Sequence, residues 1–473
     1  MRRTIKFILW LLGGLVLLAL LALIFVQVYN RFDDPLTPEA QALVAPRPVP
    51  GAPDGNAYFM LLGMRAPAGK DAMAVGVALE KLNFEAFSKA PALSDAPEEA
   101  VALGGPPMRV QRIDALRCNW FEKDCLAQFR DERGAIDKFG TEQAELFDRY
   151  QRALALPDYR DRPLQSYNEP APVLALFNDM DALAQARAVH ACEQGDAAAA
   201  LQQVRRVTAF SRRVMTNTTS LVTKLVFAQV LRNNLALLNA LMRQYPVPMA
   251  QQAQALTALA LPLTLAESGL EKTVDAEVAL LARNLMFTDS AHGLALNQEG
   301  QGAGGKLVGA LIDGVYKRNA TANFLASRKP FFSLESQWLR KQKGLDEKGV
   351  NPHTHWPSGV FWNDYVDNPV GRILVAIGTP DLGVYTDRMM DVDGYERLTA
   401  LHVQIFTGRI ADADIPAFVE GQDPRYLDPY TGKPMQWDAA RRLLVFQGHG
   451  RASSSGPADG RFTVAVAPLP PAQ

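Results

Sequence analysis

The chain has 473 residues, of which 49 are lysine or arginine, 50 are aspartate or glutamate and 48% are hydrophobic. That length suits two or three domains with a sizeable core, and the hydrophobic content excludes a disordered chain. A net charge of −1 is unlike the basic excess of a general nucleic-acid binder, so we expect no nucleic-acid partner. Three cysteines are too few for a small disulfide-stapled scaffold.

The first feature in chain order is the apolar segment 7–29, whose 23 residues carry no charge. At about 1.5 Å per helical residue, this segment spans a hydrocarbon core of about 30 Å. Arg2, Arg3 and Lys6 precede it, and this basic bias predicts that 1–6 is cytoplasmic. The sequence therefore predicts a single-pass helix in a bacterial inner membrane, with the rest of the chain in the periplasm.

The alternative is a cleaved signal peptide, which has an apolar region of about 7–15 residues followed by a small-x-small site. The apolar run here is longer, and it ends in the bulky residues Phe25, Val26, Val28 and Tyr29. The nearest Ala-x-Ala pattern, at 40–42, lies beyond the end of that run. We therefore favour an uncleaved anchor.

Composition divides the exported part into three regions. Six prolines in 30–54 predict an extended spacer. A helical body is predicted over 55–390, and 391–473 combines a C-terminal helix, a small β region and a mobile tail. The fold class that we expect is mainly α: a transmembrane helix, an exported α-helical array, and a small C-terminal β-hairpin or three-stranded sheet.

Apolar spacing and end signals define the helices of the body. Gly195 and Asp196 predict the end of one helix and the cap of the next, and a further helix is predicted to begin near 218–220. The predicted helices lie at 55–64, 70–82, 125–156, 172–245 (three helices), 249–260, 264–287, 306–328 and 392–407.

In the C-terminal region, a turn sequence precedes the predicted strands: Asp428-Pro429-Tyr430-Thr431-Gly432-Lys433-Pro434. Asp428 can accept hydrogen bonds from nearby backbone amides, and Gly432 can take a positive φ. Short β-type runs follow at 435–437, 443–447 and 462–467. We interpret the turn as structural, not as a ligand site.

Cys118 and Cys125 are separated by six residues. On one helix they would lie too far apart for a disulfide, but a compact loop would allow the bond, and a periplasmic location favours it. The sequence predicts a Cys118–Cys125 disulfide over the alternative of two free core cysteines. Cys192 is interpreted as a buried small hydrophobe.

Two loops contain candidate ligand-binding residues. Gly300–Lys306 has the spacing of a phosphate-binding loop, but Leu307 replaces the Ser or Thr that ligates magnesium and no strand precedes the loop, so we interpret it as a linker. His353 and His355, with Asp364 and Asp367 downstream, form the one cluster suited to a metal. We favour an aromatic, hydrogen-bonded loop there and expect no bound cofactor or metal.

The predicted helix 264–287 places Glu267, Glu271 and Asp275 in one row at i+4 spacing. Glu277 lies near the apolar seam of the same helix, where burial would raise its pKa and suit it to act as an acid. We favour a solvated acidic face near a helix N-terminus, and we assign no catalytic residue.

Three short motifs resemble those of uncharacterised, membrane-anchored, largely helical bacterial envelope proteins: 193–197, 368–374 and 428–434. The turn at 428–434 is also similar to a turn in the C-terminal part of the major pseudopilins of type II secretion. The resemblance implies an envelope location and no known catalytic residue. The favoured function is a non-enzymatic scaffold or interaction protein with an envelope protein partner; the alternative is an envelope hydrolase, possibly metal-dependent, that acts through His353/His355 or Glu277.

Overall fold

The computed structural model describes residues 2–89, 104–259, 261–287, 309–328, 366–378, 382–449 and 457–469. Within these ranges the chain is mainly helical, with a small antiparallel sheet near the C-terminus, which confirms the predicted fold class. The helices are α1 (Arg2–Tyr29), α2 (Pro38–Val44), α3 (Ala57–Leu62), α4 (Ala72–Lys89), α5 (Cys125–Asp131), α6 (Arg133–Glu142), α7 (Ala144–Ala155), α8 (Leu174–Glu193), α9 (Ala197–Asn217), α10 (Leu221–Gln244), α11 (Pro246–Ala250), α12 (Ala253–Thr257), α13 (Leu265–Ser268), α14 (Glu271–Phe287), α15 (Arg318–Arg328), α16 (Pro369–Gly378), α17 (Leu382–Thr407) and α18 (Ile415–Glu420); the strands are β1 (Gln436–Asp438), β2 (Leu443–Gln447) and β3 (Arg461–Ala465).

The centre of the fold is α10, which packs against α8, α9, α14 and α17. Most of its apolar side chains are buried, with Val222 near its N-terminus an exposed exception, and those of α8 and α9 that face it are buried as well. Phe177 of α8 lies between Phe210 of α9 and Phe227 of α10, with ring centroids 5.6 and 4.8 Å from its own. Burial of these aromatic rings joins the three helices into one core.

The helix ends in this core follow their local sequence signals. Gly195 has a φ of 86°, the left-handed conformation that ends α8, and the Asp196 side chain accepts a hydrogen bond from the Ala199 amide to cap α9. Ser220 caps α10 in the same way, through the amide of Thr223. The predicted boundaries of these three helices are confirmed.

Other predicted helices are interrupted. The stretch 125–156 forms three helices, α5 to α7. Their junctions lie at Glu132 and Gln143 rather than at Gly134 and Gly140, the glycines of this stretch. The stretch 264–287 breaks at Gly269, whose extended backbone separates α13 from α14. Because Glu267 lies before this break, the predicted row of Glu267, Glu271 and Asp275 does not form on a single helix.

The predicted spacer 30–54 is packed on the body along part of its length. It contains α2, which Thr37 caps and which contacts α14 and α15. Ala40, Leu43 and Val44 of α2 are buried. An extended spacer would leave these apolar side chains in water, so burial explains why the segment folds back.

The C-terminal sheet has the order β1-β2-β3, and both pairs are antiparallel. The sheet covers α17, where the Phe446 ring lies against Gly394 so closely that a Cβ there would come within 2.3 Å of it. The turn before β1 is held by Asp428, whose side chain accepts hydrogen bonds from the amides of Tyr430 and Thr431. Gly432 has the predicted positive φ, at 64°.

We predict that Gly432→Val lowers the free energy of unfolding by about 1–3 kcal/mol, because a β-branched residue is strained at positive φ. Gly432→Asn is the matched control, since asparagine tolerates this conformation and should lower the stability less. Thermal unfolding of the two variants checks this. Equal melting temperatures for the valine variant and the natural chain would contradict a structural role for the turn.

Candidate functional site

Helix α1 stands apart from the rest of the fold. Its apolar segment, Ile5–Tyr29, is long and apolar enough to cross a membrane, and its 18-residue apolar window has no residue buried inside the protein. The other described helix of such length and hydropathy is α10. In its apolar 18-residue stretch, 72% is buried inside the protein, as in a core helix. The last turns of α1 reach the body, where the Gln27 side chain donates a hydrogen bond to the Leu311 carbonyl over 2.7 Å.

The residues that follow α1 are held by a group of polar side chains, which we call the exit cluster: Asn30, Asp33, Asp34, Lys317 and Asn368. The side chain of Asn30 accepts a hydrogen bond from the Asn368 amide and donates one to the Val366 carbonyl, both over 2.7 Å. Both asparagines are buried. Because a buried amide without a partner is costly, these bonds fix the chain at the end of α1 against the body.

Asn368 connects the cluster to α15. Its backbone has a φ of 49°, which asparagine tolerates better than most residues. Its side-chain oxygen accepts from the Lys317 amide and its side-chain nitrogen donates to the Thr321 hydroxyl, both over 2.8 Å. One buried asparagine thus joins the chain before α16, the beginning of α15 and the end of α1.

Asp33 and Lys317 supply the charged contacts of the cluster. The Asp33 carboxylate accepts hydrogen bonds from the amides of Asn319 and Ala320 at the first turn of α15, where the helix dipole favours negative charge. The Lys317 ammonium lies 2.9 Å from Asp367 and 3.6 Å from Asp34. Burial lowers the pKa of Lys317, but the two carboxylates outweigh that effect and raise it above its usual value.

Helix α16 begins immediately after Asn368 and presents an apolar surface. Gly371 and Val375 face the body, where Gly371 lies against Thr321. On the other side, Ile373 is 56% exposed and Ile377 is 78% exposed. At about 1.5 Å rise per residue, both isoleucines lie within about 15 Å of Asn368 along the helix axis, and therefore close to the end of α1.

Three residues of the predicted metal cluster, His353, His355 and Asp364, lie outside the described residues. The glycine-rich segment 300–306 lies outside them as well. Asp367 is described, and it pairs with Lys317. In the described ranges, no group of three or more His, Cys, Asp or Glu side chains is placed to hold a metal ion.

The predicted disulfide between Cys118 and Cys125 is confirmed. Cys118 and Cys125 form a disulfide, and the loop between them lies against the C-terminal sheet through Phe121, whose ring centroid is 5.6 Å from that of Phe462. Cys192 is buried, and burial raises its pKa to about 11. A thiol with that pKa is a poor nucleophile at neutral pH.

The acidic residues of 264–287 are dispersed by the break at Gly269. Glu267 caps α13 through Thr264 and pairs with Arg212 over 3.1 Å. Asp275 lines a cavity of about 340 Å³ between the segment after α2, loop 161–165 and α14. Burial raises the pKa of Glu277, and a backbone hydrogen bond at Leu221 partly opposes the shift. Glu277 thus follows the alternative raised above rather than the favoured solvated face. The alternative function, an envelope hydrolase, was predicted to use His353/His355 or Glu277, and of these residues the structure describes Glu277.

The buried acid Asp181 of α8 was not predicted from the sequence. Its carboxylate accepts hydrogen bonds from Tyr150, Gln185 and Asn234, over 3.0, 2.7 and 3.2 Å. Burial raises its pKa to about 6, although the three donors favour the charged form. The sequence signal was an aspartate among the apolar residues of α8. Asp181 and its three partners are all buried.

No protein-family model, no curated protein and no solved structure matches the chain. The resemblance to helical envelope proteins and to pseudopilins therefore stays a prediction. The features that single out a site are those of the molecule itself: the apolar α1, the exit cluster that holds its end, and the exposed isoleucines of α16.

We predict that Asp181 makes the stability of the protein depend on pH. The pKa of Asp181 is raised in the folded chain, so its contribution to stability is fully present below about pH 4 and is lost as pH rises through about 6. Relative to Asp181→Asn, the natural chain should lose about 3 kcal/mol of unfolding free energy between pH 4 and 7. Denaturant unfolding of both chains across this range measures the difference.

Asp148→Asn is the control, because it removes one acid from the exposed side of α7. Its unfolding free energy should run parallel to that of the natural chain. If the Asp181→Asn and natural chains also ran parallel from pH 4 to 7, Asp181 would not be a proton-binding group of this kind.

Proposed function

We propose that the protein is a single-pass protein of the bacterial inner membrane, anchored by α1 with residues 1–6 in the cytoplasm and the body in the periplasm. There it acts as a non-enzymatic interaction protein of the cell envelope, held directly at the bilayer surface. The observation that carries the proposal is the exit cluster, whose buried hydrogen bonds hold the chain at the end of the apolar and largely exposed α1 against the body.

The exit cluster supports an anchor that is retained over a signal sequence that is removed. Cleavage after the Ala-x-Ala pattern at 40–42 would cut α2, whose Ala40 and Leu43 are buried. It would also remove Asn30 and Asp33 and leave the first amides of α15 without their carboxylate. Cleavage at this pattern would therefore remove contacts that the body uses to hold α15 and the chain before α16.

The orientation rests on two further observations. Arg2, Arg3 and Lys6 precede the apolar segment, and such residues favour the cytoplasmic side. The Cys118–Cys125 disulfide is typical of an oxidising compartment such as the periplasm. The two observations lie on opposite sides of α1 and favour the same topology.

Helix α16 supports a body that lies on the bilayer. Ile373 and Ile377 form an exposed apolar surface beside the end of α1. The interfacial region of a bilayer accepts apolar side chains of amphipathic helices that lie in its plane. With the exit cluster holding α1 and α16 together, insertion of α1 brings these isoleucines to that region.

The interaction role is supported by the burial of the body's titratable side chains. The acids and bases with the largest pKa shifts, such as Asp181, Glu396 and His402, are buried and hydrogen-bonded inside the protein. They are inaccessible to a substrate, and their contacts are those of a rigid helical framework. A rigid framework at a membrane surface suits the presentation of a binding surface to another envelope protein.

The topology is tested by alkaline phosphatase fusions after residue 60 and after residue 473. We predict that both fusions are active, that they remain in the membrane fraction after carbonate extraction, and that their masses include α1. The control replaces Arg2, Arg3 and Lys6 with glutamate, which removes the basic bias and should lower the fraction of correctly oriented chains. Inactive fusions, or active fusions released without α1, would contradict the proposal.

A further inference from the structure

Among the residues that the structure describes, strand β3 is an edge of the C-terminal sheet. The Gly448 amide donates to the Gly460 carbonyl over 2.9 Å, and the Val466 amide donates to the Arg442 carbonyl over 3.0 Å. In an antiparallel ladder, the hydrogen-bonded positions alternate with positions that point away. The backbone groups of Arg461, Thr463 and Ala465 therefore point away from β2.

A groove of about 400 Å³ lies along this edge. Arg461, Thr463 and Ala465 line it on one side, and the loop 120–126 lines it on the other. Asn239 and Arg243 of α10 lie between the two sides. The Arg461 amide already donates to Asp459, so the outward amides of Thr463 and Ala465 are the ones that the groove offers to a ligand.

The wall opposite β3 is preorganised. The Cys118–Cys125 disulfide closes the loop, and the Trp120 indole donates to the Gln185 side chain over 2.8 Å. The ring of Phe121 packs on Tyr395 and Phe462, with centroids at 5.3 and 5.6 Å. A wall fixed in this way loses little conformational entropy when a ligand binds.

The charges around the groove favour an acidic ligand. Its cationic side chains are Lys123, Arg243 and Arg461, and all three residues are exposed. The acids that line the groove are Glu122 and Asp124, and Asp459 lies at its rim. The carboxylates of Asp124 and Asp459 accept hydrogen bonds from the amides of Ala127 and Arg461, so part of their charge is already engaged. The groove thus combines an open strand edge with three exposed cationic side chains.

We propose that this groove binds an extended, acidic peptide segment of a partner protein, which adds to β3 as a further strand. Backbone hydrogen bonds to Thr463 and Ala465 would hold the segment, and the cationic side chains would select its acidic residues. The proposal rests on the interaction role inferred above and names the partner class, but it does not depend on the topology of α1.

The test uses the full chain in detergent micelles and a phage-displayed library of random 12-residue peptides. Selected peptides are synthesised, and their Kd is measured for the natural chain, Thr463→Pro and Thr463→Val. Proline removes the outward amide but no hydrogen bond to β2, so the edge position should accept it. Valine keeps the amide and the β-branched shape, and serves as the matched control.

We expect the selected peptides to be acidic, to bind Thr463→Val as they bind the natural chain, and to bind Thr463→Pro at least about tenfold more weakly. Arg243→Glu/Arg461→Glu should weaken the same peptides, and this variant decides the matter if Thr463→Pro does not fold. Failure to select any peptide, selection of basic peptides, or equal binding by Thr463→Pro would overturn the proposal. So would self-association through β3, shown by sedimentation of the natural chain and abolished by Thr463→Pro. Because phosphatase fusions are insensitive to Thr463, failure of the groove and failure of the topology are distinguishable.

Discussion

The polar side chains that this fold buries must find their hydrogen-bond partners inside the protein, and this constraint fixes how its helices pack around α10. Asn234 bonds to Asp181 of α8, while Asn239 bonds to His402 and Thr399 of α17. Because the Ala467 amide donates to Nε2 of His402, Nδ1 carries the proton that bonds to Asn239. Apolar packing alone would allow a helix to slide or rotate by a step, whereas each such step would leave these amides unpaired.

The same constraint operates where α1 meets the body. The side chain of Asn30 and the amide of Asn368 are buried together, and Asp33 satisfies amides that the first turn of α15 leaves open. These contacts convert what would be a hinge after α1 into a fixed joint. A fixed joint gives the body one orientation relative to α1, and in the proposed topology the exposed isoleucines of α16 then lie beside the bilayer.

Local signals predicted the helix ends at Gly195 and Ser220, because a cap depends on residues within one turn. The disulfide was also predictable, from a short loop. Burial of Glu277 was considered because of the apolar seam, but a solvated face was favoured over it. The break at Gly269 was missed, although the glycine and the Thr264–Glu267 cap before it are both local signals. The exit cluster was missed for another reason: Asp33 and Asn319 are 286 residues apart, and no spacing in the sequence indicates their contact.

We propose that α1 and the exit cluster hold α16 on the bilayer. The most direct test is electron paramagnetic resonance on the full chain in lipid nanodiscs, with Cys192→Ala as background and a nitroxide at Ile377→Cys or, as control, at Lys138→Cys on α6. We predict that the label at residue 377 is relaxed more by oxygen than by a water-soluble nickel chelate, and that the label at 138 shows the reverse. Equal and strong relaxation of both labels by the nickel chelate would contradict it.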